Sequence, residues 1–185
     1  MNSTEKSDCF RQNIQADGRR VTLVLEPFAK FMRGKEVDTA AVAFLLDKSG
    51  MCREEDFLFW GTMSVSGIRH RGDKCMYSFG GDEFDIYPKE IEDHVEKVIF
   101  AYTADSSLSP GHTLASLRSL QMSLFKTPNL RNRLADFGEN EMGNAQVMQV
   151  AELVRTNDGW SLEVVSRCFD GGLADVCAKF GIEVV

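Results

Sequence analysis

Residues 69–85 gather the side chains of this chain that are best suited to chemistry. His70, Asp73, Cys75, Asp82, Glu83 and Asp85 stand there among Gly72, Gly80 and Gly81. Carboxylates spaced by glycines suit a hard divalent cation. Such an ion takes its oxygens from carboxylates, carbonyls and water, and glycine lets backbone carbonyls turn inward. Lys74 lies between the acids and opposes a cation beside it. Cys75 has Lys74 as neighbour and Arg71 nearby, a setting that favours a thiolate; a free thiol is the default reading. His70, His94 and His112 fall in separate segments with no shared spacing, so they form no ligand or catalytic set. No Ser-His-Asp or Cys-His-Asn arrangement is spaced for hydrolysis.

The elements that must position this stretch read as short strands. Arg20 to Leu25, Ala40 to Leu46, Phe57 to Trp60, Val65 to Arg71, Phe84 to Tyr87, Val95 to Thr103, Leu117 to Phe125, Arg131 to Asp136 and Gln146 to Arg155 carry β-branched, aromatic or alternating patterns. Ala40 to Leu46 is apolar throughout and predicts a central strand buried on both faces. Glu26 to Lys35, with Pro27 and Gly34, predicts a loop. Glu54-Glu55-Asp56 predicts a solvated turn, and Gly138 to Gly143 an acidic, turn-rich loop. Asn157-Asp158-Gly159 signals a hairpin, followed by the alternating strand Trp160 to Val165. Near the end, Leu173, Val176, Cys177 and Phe180 make one helical stripe, which Gly181 is placed to cap. Short strands with turn signals every 8–12 residues predict an all-β, antiparallel β-sandwich with a short C-terminal helix. Residues 1–18 read as a polar lead-in, and 19–185 as one domain.

Composition narrows the class. The 185 residues include 21 Lys and Arg against 28 Asp and Glu, a formal charge of −7 that does not favour nucleic acid or an anionic membrane as partner. No stretch approaches the ~20 apolar residues of a membrane helix, and Met1 to Asp8 carries no secretory pattern. The five cysteines are scattered, with no C-x-x-C, which suits a reducing cytoplasm. Trp60 and Trp160 read as core or interface anchors. Phe28, Phe31 and Met32 read as core packing, for which an exposed apolar patch beside Arg33, open to a partner, is the alternative.

Gly80-Gly81-Asp82-Glu83-Phe84 spells the signature of diguanylate cyclases. An enzyme of nucleotide chemistry using Gly80–Asp85 is therefore one alternative. The resemblance stops at five letters. No upstream metal-binding strand and no long amphipathic helices accompany it.

A wider resemblance runs along the chain. It comprises Val42-Ala43-Phe44-Leu45-Leu46 with Gly50 and Asp56-Phe57-Leu58-Phe59, then His70-Arg71-Gly72-Asp73, Gly81-Asp82-Glu83 and Lys97-Val98-Ile99-Phe100. It ends with Gly159-Trp160, Phe169-Asp170-Gly171-Gly172-Leu173 and Phe180-Gly181. In that order, from about Val21 to Val185, these stretches resemble the TerD-type family of tellurium-resistance and stress proteins. The resemblance implies a β-sandwich and Ca2+ held by acidic loops. It also implies a non-catalytic, cytoplasmic module in a bacterial tellurite or general stress response, with protein partners in a stress complex, a membrane protein among the candidates. The family loop departs here: Tyr77-Ser78-Phe79-Gly80 replaces central glycines and glutamates, Lys74 replaces an asparagine, and Glu36, Asp38 and Ala40 match an upstream acidic triplet. The metal ligands implied are Asp38, Asp73, Asp82 and Glu83, with Glu36 at their margin. They are enough for one site and too few for two. The same fold with a degenerate site, acting purely through protein contacts, is the remaining alternative.

Overall fold

The structure is a computed structural model that describes residues 11–15, 18–30, 39–59, 62–72, 81–104 and 112–183. Its strands form two six-stranded antiparallel sheets. In spatial order the first holds β1 (Arg11–Gln15), β12 (Gly159–Cys168), β11 (Val147–Thr156), β8 (Lys97–Ala104), β3 (Thr39–Leu46) and β4 (Cys52–Leu58). The second holds β10 (Leu130–Gly138), β9 (Leu117–Thr127), β2 (Val21–Ala29), β7 (Asp82–Ile86), β6 (Ile68–His70) and β5 (Ser64–Val65). Successive side chains of a strand point to opposite faces, so each strand contributes every second residue to the space between the sheets. Leu23, Leu25, Phe84, Ile86, Leu120, Met122 and Leu124 come from the second sheet. They pack with Ala43, Leu45, Phe100, Tyr102, Leu153, Trp160 and Leu162 of the first.

The antiparallel β-sandwich expected from the strand pattern is therefore the fold. A second apolar layer lies outside the first sheet. Helix α2 (Leu173–Lys179) lays Val176 and Cys177, with Phe180 just beyond it, on Val42, Phe44, Leu46, Ile99 and Ala101. This explains why β3 is apolar on both faces: one faces the core, the other faces α2. Phe44 stacks on Phe57 at 4.7 Å between ring centroids and meets Phe180 at 5.0 Å. Gly181, at φ +86°, ends the helix as its position suggested.

Several local expectations differ from the structure: Val65 to Arg71, expected as one strand, turns back on itself at Ser66 and Gly67, and Phe28, expected in the core, is 40% exposed. Arg11–Gln15, within the expected lead-in, is an edge strand paired to β12. Its polar side chains are tolerated because only Ile14 is buried. β2 continues through Pro27, which pairs opposite Leu120. Pairing to β7 stops at Leu25, so this proline sits where β2 has a neighbour on one side only. Glu54-Glu55-Asp56 lies inside β4, and Asp56 is buried against Arg53 and His94. Gly138 to Gly143 contains a helical turn, α1 (Glu139–Met142), whose Met142 enters the main core.

The β5–β6 hairpin turns on Ser66 and Gly67, at φ +36° and +75°, the pattern of a two-residue hairpin loop. A Cβ at Gly67 would lie 2.7 Å from the Ile91 nitrogen, 2.8 Å from the Glu90 carbonyl carbon and 2.8 Å from the Tyr87 oxygen. All three are backbone atoms and cannot swing away. Gly67→Ala is therefore expected to cost about 2–3 kcal/mol, read as a lower denaturant midpoint. An unchanged midpoint would show that the hairpin shifts freely.

Candidate functional site

The acidic stretch is built on β7 and the end of β6. Asp82 pairs opposite Leu25, and Phe84 opposite Leu23. Both leucines are core residues, so Asp82 stands on the inner face at the mouth of the sandwich. His70, opposite Phe84 on β6, shares that face. Its Nε2 lies 2.7 Å from Asp82 Oδ1, and its ring centroid lies 5.0 Å from that of Phe84. The His70 and Asp82 side chains are 6% and 14% exposed. Among the described residues, nothing engages the second Asp82 oxygen, and the buried Nδ1 of His70 has no partner. The wall across from them is Tyr102, whose hydroxyl lies 2.8 Å from Thr39 Oγ1. Burial raises the Tyr102 phenol well above its ordinary range, and the negative charge of Asp82 adds to the shift.

Strand alternation sends Glu83 and Asp85 to the opposite, outer face. Glu83 pairs opposite Val24, and Asp85 opposite Thr22. Thr22 Oγ1 donates to Asp85 at 2.6 Å. Arg71 Nη2 lies 2.9 Å from Asp85 Oδ2, Arg71 Nε is 3.7 Å from Glu83 Oε2, and Arg20 Nη1 is 3.6 Å from Asp85. The Glu83 side chain is fully buried. The backbone joins in, since Arg71 N–H donates to the Glu83 carbonyl at 2.9 Å.

The structure thus separates two of the four implied ligands. Asp82 faces the sandwich mouth and Glu83 faces away from it. Asp38 and Asp73 lie outside the described residues, as do Glu36, Lys74, Cys75, Gly80 and Trp60. Their neighbours Thr39 and Gly72 are described. Sequence reasoning overlooked His70 as the partner of Asp82, and Arg71 as the partner of Glu83 and Asp85. The signal was present: five residues of strand, Asp82–Ile86, must split neighbouring acids between faces. His94 and His112 are far apart in the chain. His94 Nε2 lies 2.8 Å from Asp56 Oδ2 in a surface network with Arg53. Arg69 stacks on Tyr87 and pairs with Glu90, Arg131 pairs with Glu26, and Arg133 pairs with Asp136, so each of these basic residues has an acidic neighbour. Among the described residues no cluster of three His, Cys, Asp or Glu side chains converges on one point.

This fold and its acidic strand define a class. The TerD domain matches residues 11–180, and the chain belongs to the TerD family. It is 28% identical over 160 residues to the tellurium resistance protein TerD of Serratia marcescens, covering 83% of each. It is 25% identical to the chemical-damaging agent resistance protein B of Clostridium acetobutylicum, covering 70% of this chain and 96% of that one. The crystal structure of a TerD homologue from Streptomyces coelicolor A3(2) has the same fold. It superposes with a TM-score of 0.68 at 15% identity, covering 89% of this chain and 98% of that one. The relatives tie the family to resistance against tellurium and chemical damage. β7, which holds the cyclase-like letters Asp82, Glu83 and Phe84, is a strand of an antiparallel sandwich and not part of an α/β nucleotidyltransferase. Among the described residues no helix is long and apolar enough to cross a membrane.

Proposed function

We propose that this protein is a non-catalytic, calcium-linked binding module of a bacterial tellurite and stress response, working in the cytoplasm through protein partners. One observation carries the reading: the carboxylate of Asp82 stands at the sandwich mouth with one oxygen held by His70 and the other unengaged among the described residues. An oxygen fixed in this way is a pre-set ligand for a hard cation. Asp38 and Asp73 are the acids to complete the set, each one residue from Thr39 and Gly72. When bound, Ca2+ would supply a positive charge that draws these acids together. The work of the chain is to orient Asp82 through His70 and to wall the site with Tyr102 and Thr39. No reaction is assigned to it. A second reading, the same fold acting through protein contacts alone, is favoured by the burial of Glu83 against Arg71.

Calcium titration separates the two readings. At Ca2+ about 100-fold above its dissociation constant, a ligand that binds only the folded state adds about 2.7 kcal/mol, roughly 5–10 °C in melting temperature. Asp82→Asn is expected to remove that shift while keeping the fold. No heat and no change in melting at millimolar Ca2+ would leave the purely protein-binding reading.

A further inference from the structure

We propose that Arg71 acts as a built-in cation on the outer face of the second sheet. Glu83 and Asp85 are then structural acids, and β7 offers a metal ion Asp82 alone. The part of this that concerns the ion rests on the calcium reading above; the part that concerns Arg71 does not.

Three facts carry it. The first is placement. Arg71 precedes residues 73–80, and Glu83 and Asp85 follow them, so their pairing ties the chain on either side of that segment. The second is burial. The side chains of Arg71, Glu83 and Asp85 are 12%, 0% and 8% exposed. Charges held this far from water persist only when paired and hydrogen-bonded. Among the described residues, Arg71 and Arg20 set their charges against those of Glu83 and Asp85: Arg71 Nη2 bonds Asp85, its Nε lies at an ion-pair distance of 3.7 Å from Glu83, and the Thr22 hydroxyl adds a bond to Asp85. The third is topology. Glu83 cannot reach the face of Asp82 unless β7 slips by one residue, and that slip would drive Phe84 and Ile86 out of the core. A cation at the sandwich mouth therefore gains nothing from Glu83. On the outer face, a cation would have to displace an arginine already fitted to the same carboxylates.

Two measurements test this on the full chain. In calorimetric titration with CaCl2, Glu83→Gln is expected to keep the wild-type Ca2+ affinity within about twofold, whereas Asp82→Asn loses binding. Loss of binding in Glu83→Gln to the extent seen for Asp82→Asn overturns the proposal. The second measurement needs no metal: melting temperatures in EDTA for Arg71→Met, Glu83→Gln and the double variant. Each single change removes one charge from a buried network of opposite charges and is expected to lower melting by roughly 5 °C or more. The double variant is expected to fall by clearly less than the sum of the two. A single variant that fails to fold while the double variant folds is the same coupling in stronger form. Losses that add in the double variant overturn the proposal. If wild type ignores Ca2+, the calcium reading fails and the role of Arg71 is judged by this cycle alone.

Discussion

Phe84→Ala is expected to destabilise the fold by about 3–5 kcal/mol, the range for emptying a buried aromatic site, or roughly 10 °C in melting temperature. Phe84 is fully buried. Its ring meets His70 at 5.0 Å on its own sheet and Phe100 at 5.2 Å on the other. It therefore bridges the two layers directly below the Asp82 mouth. Removing it deletes dispersion contacts with both sheets, and β7 carries core side chains on one face only, so nothing beside it can swing in to fill the space. The same deletion takes away the ring against which His70 packs, so the His70–Asp82 contact should loosen as well. Urea denaturation of the variant checks the first effect, and the Ca2+ titration described above checks the second. A loss below about 1 kcal/mol would mean that the sandwich collapses around the missing ring.

The second large effect lies at alkaline pH. Burial pushes the Cys52 thiol from its ordinary 9.0 up to about 12. Burial likewise raises the Tyr102 phenol, with the charge of Asp82 adding to it. Both groups have folded-state pKa values above their unfolded ones. Each therefore contributes stability that is complete below its unfolded pKa and is lost as pH rises through the folded value. For Cys52 the window opens near pH 9 and closes near 12. A shift of this size on a buried group corresponds to about 2–4 kcal/mol. Melting temperature should hold steady from about pH 7 to 8.5 and then fall steeply. Cys52→Ala and Tyr102→Phe should each flatten the fall, whatever they cost at neutral pH. Curves parallel to wild type above pH 9 would show that neither group drives the loss.

The fold was readable in the sequence because its strands declare themselves by alternation and its turns by glycine, proline and Asx residues. Trp160, Leu162 and Val164 alternate with polar neighbours, and the first two enter the core as the pattern says. The double-sided apolarity of Ala40 to Leu46 pointed to a buried strand without revealing that α2 covers one side of it. Arg11–Gln15 was not readable, because an edge strand with one buried residue leaves no periodic trace. Pro27 misdirected because a proline in β2 is excluded only while both sides are paired. At the site, the acids were readable as a group but their division was not. Asp82 and Glu83 are neighbours in sequence, and only the register of β7 against Leu25 and Val24 assigns them to different faces. Arg71 stood out only as a basic residue near Cys75, because its partners Glu83 and Asp85 come after residues 73–80 in the chain.

The pairing of β1 with β12 has a consequence for how this chain reaches its native state. Arg11 lies opposite Glu163, and Ile14 opposite Trp160. α2, from still later in the chain, seals the outer layer over Phe44. The first sheet and its outer cover therefore cannot be completed during synthesis before residues 159–182 have left the ribosome. Long-range strand pairing of this kind folds on the scale of milliseconds to seconds. Until then the apolar face of β3 stays uncovered, which makes the newly made chain, more than the finished one, the form that needs protection from aggregation.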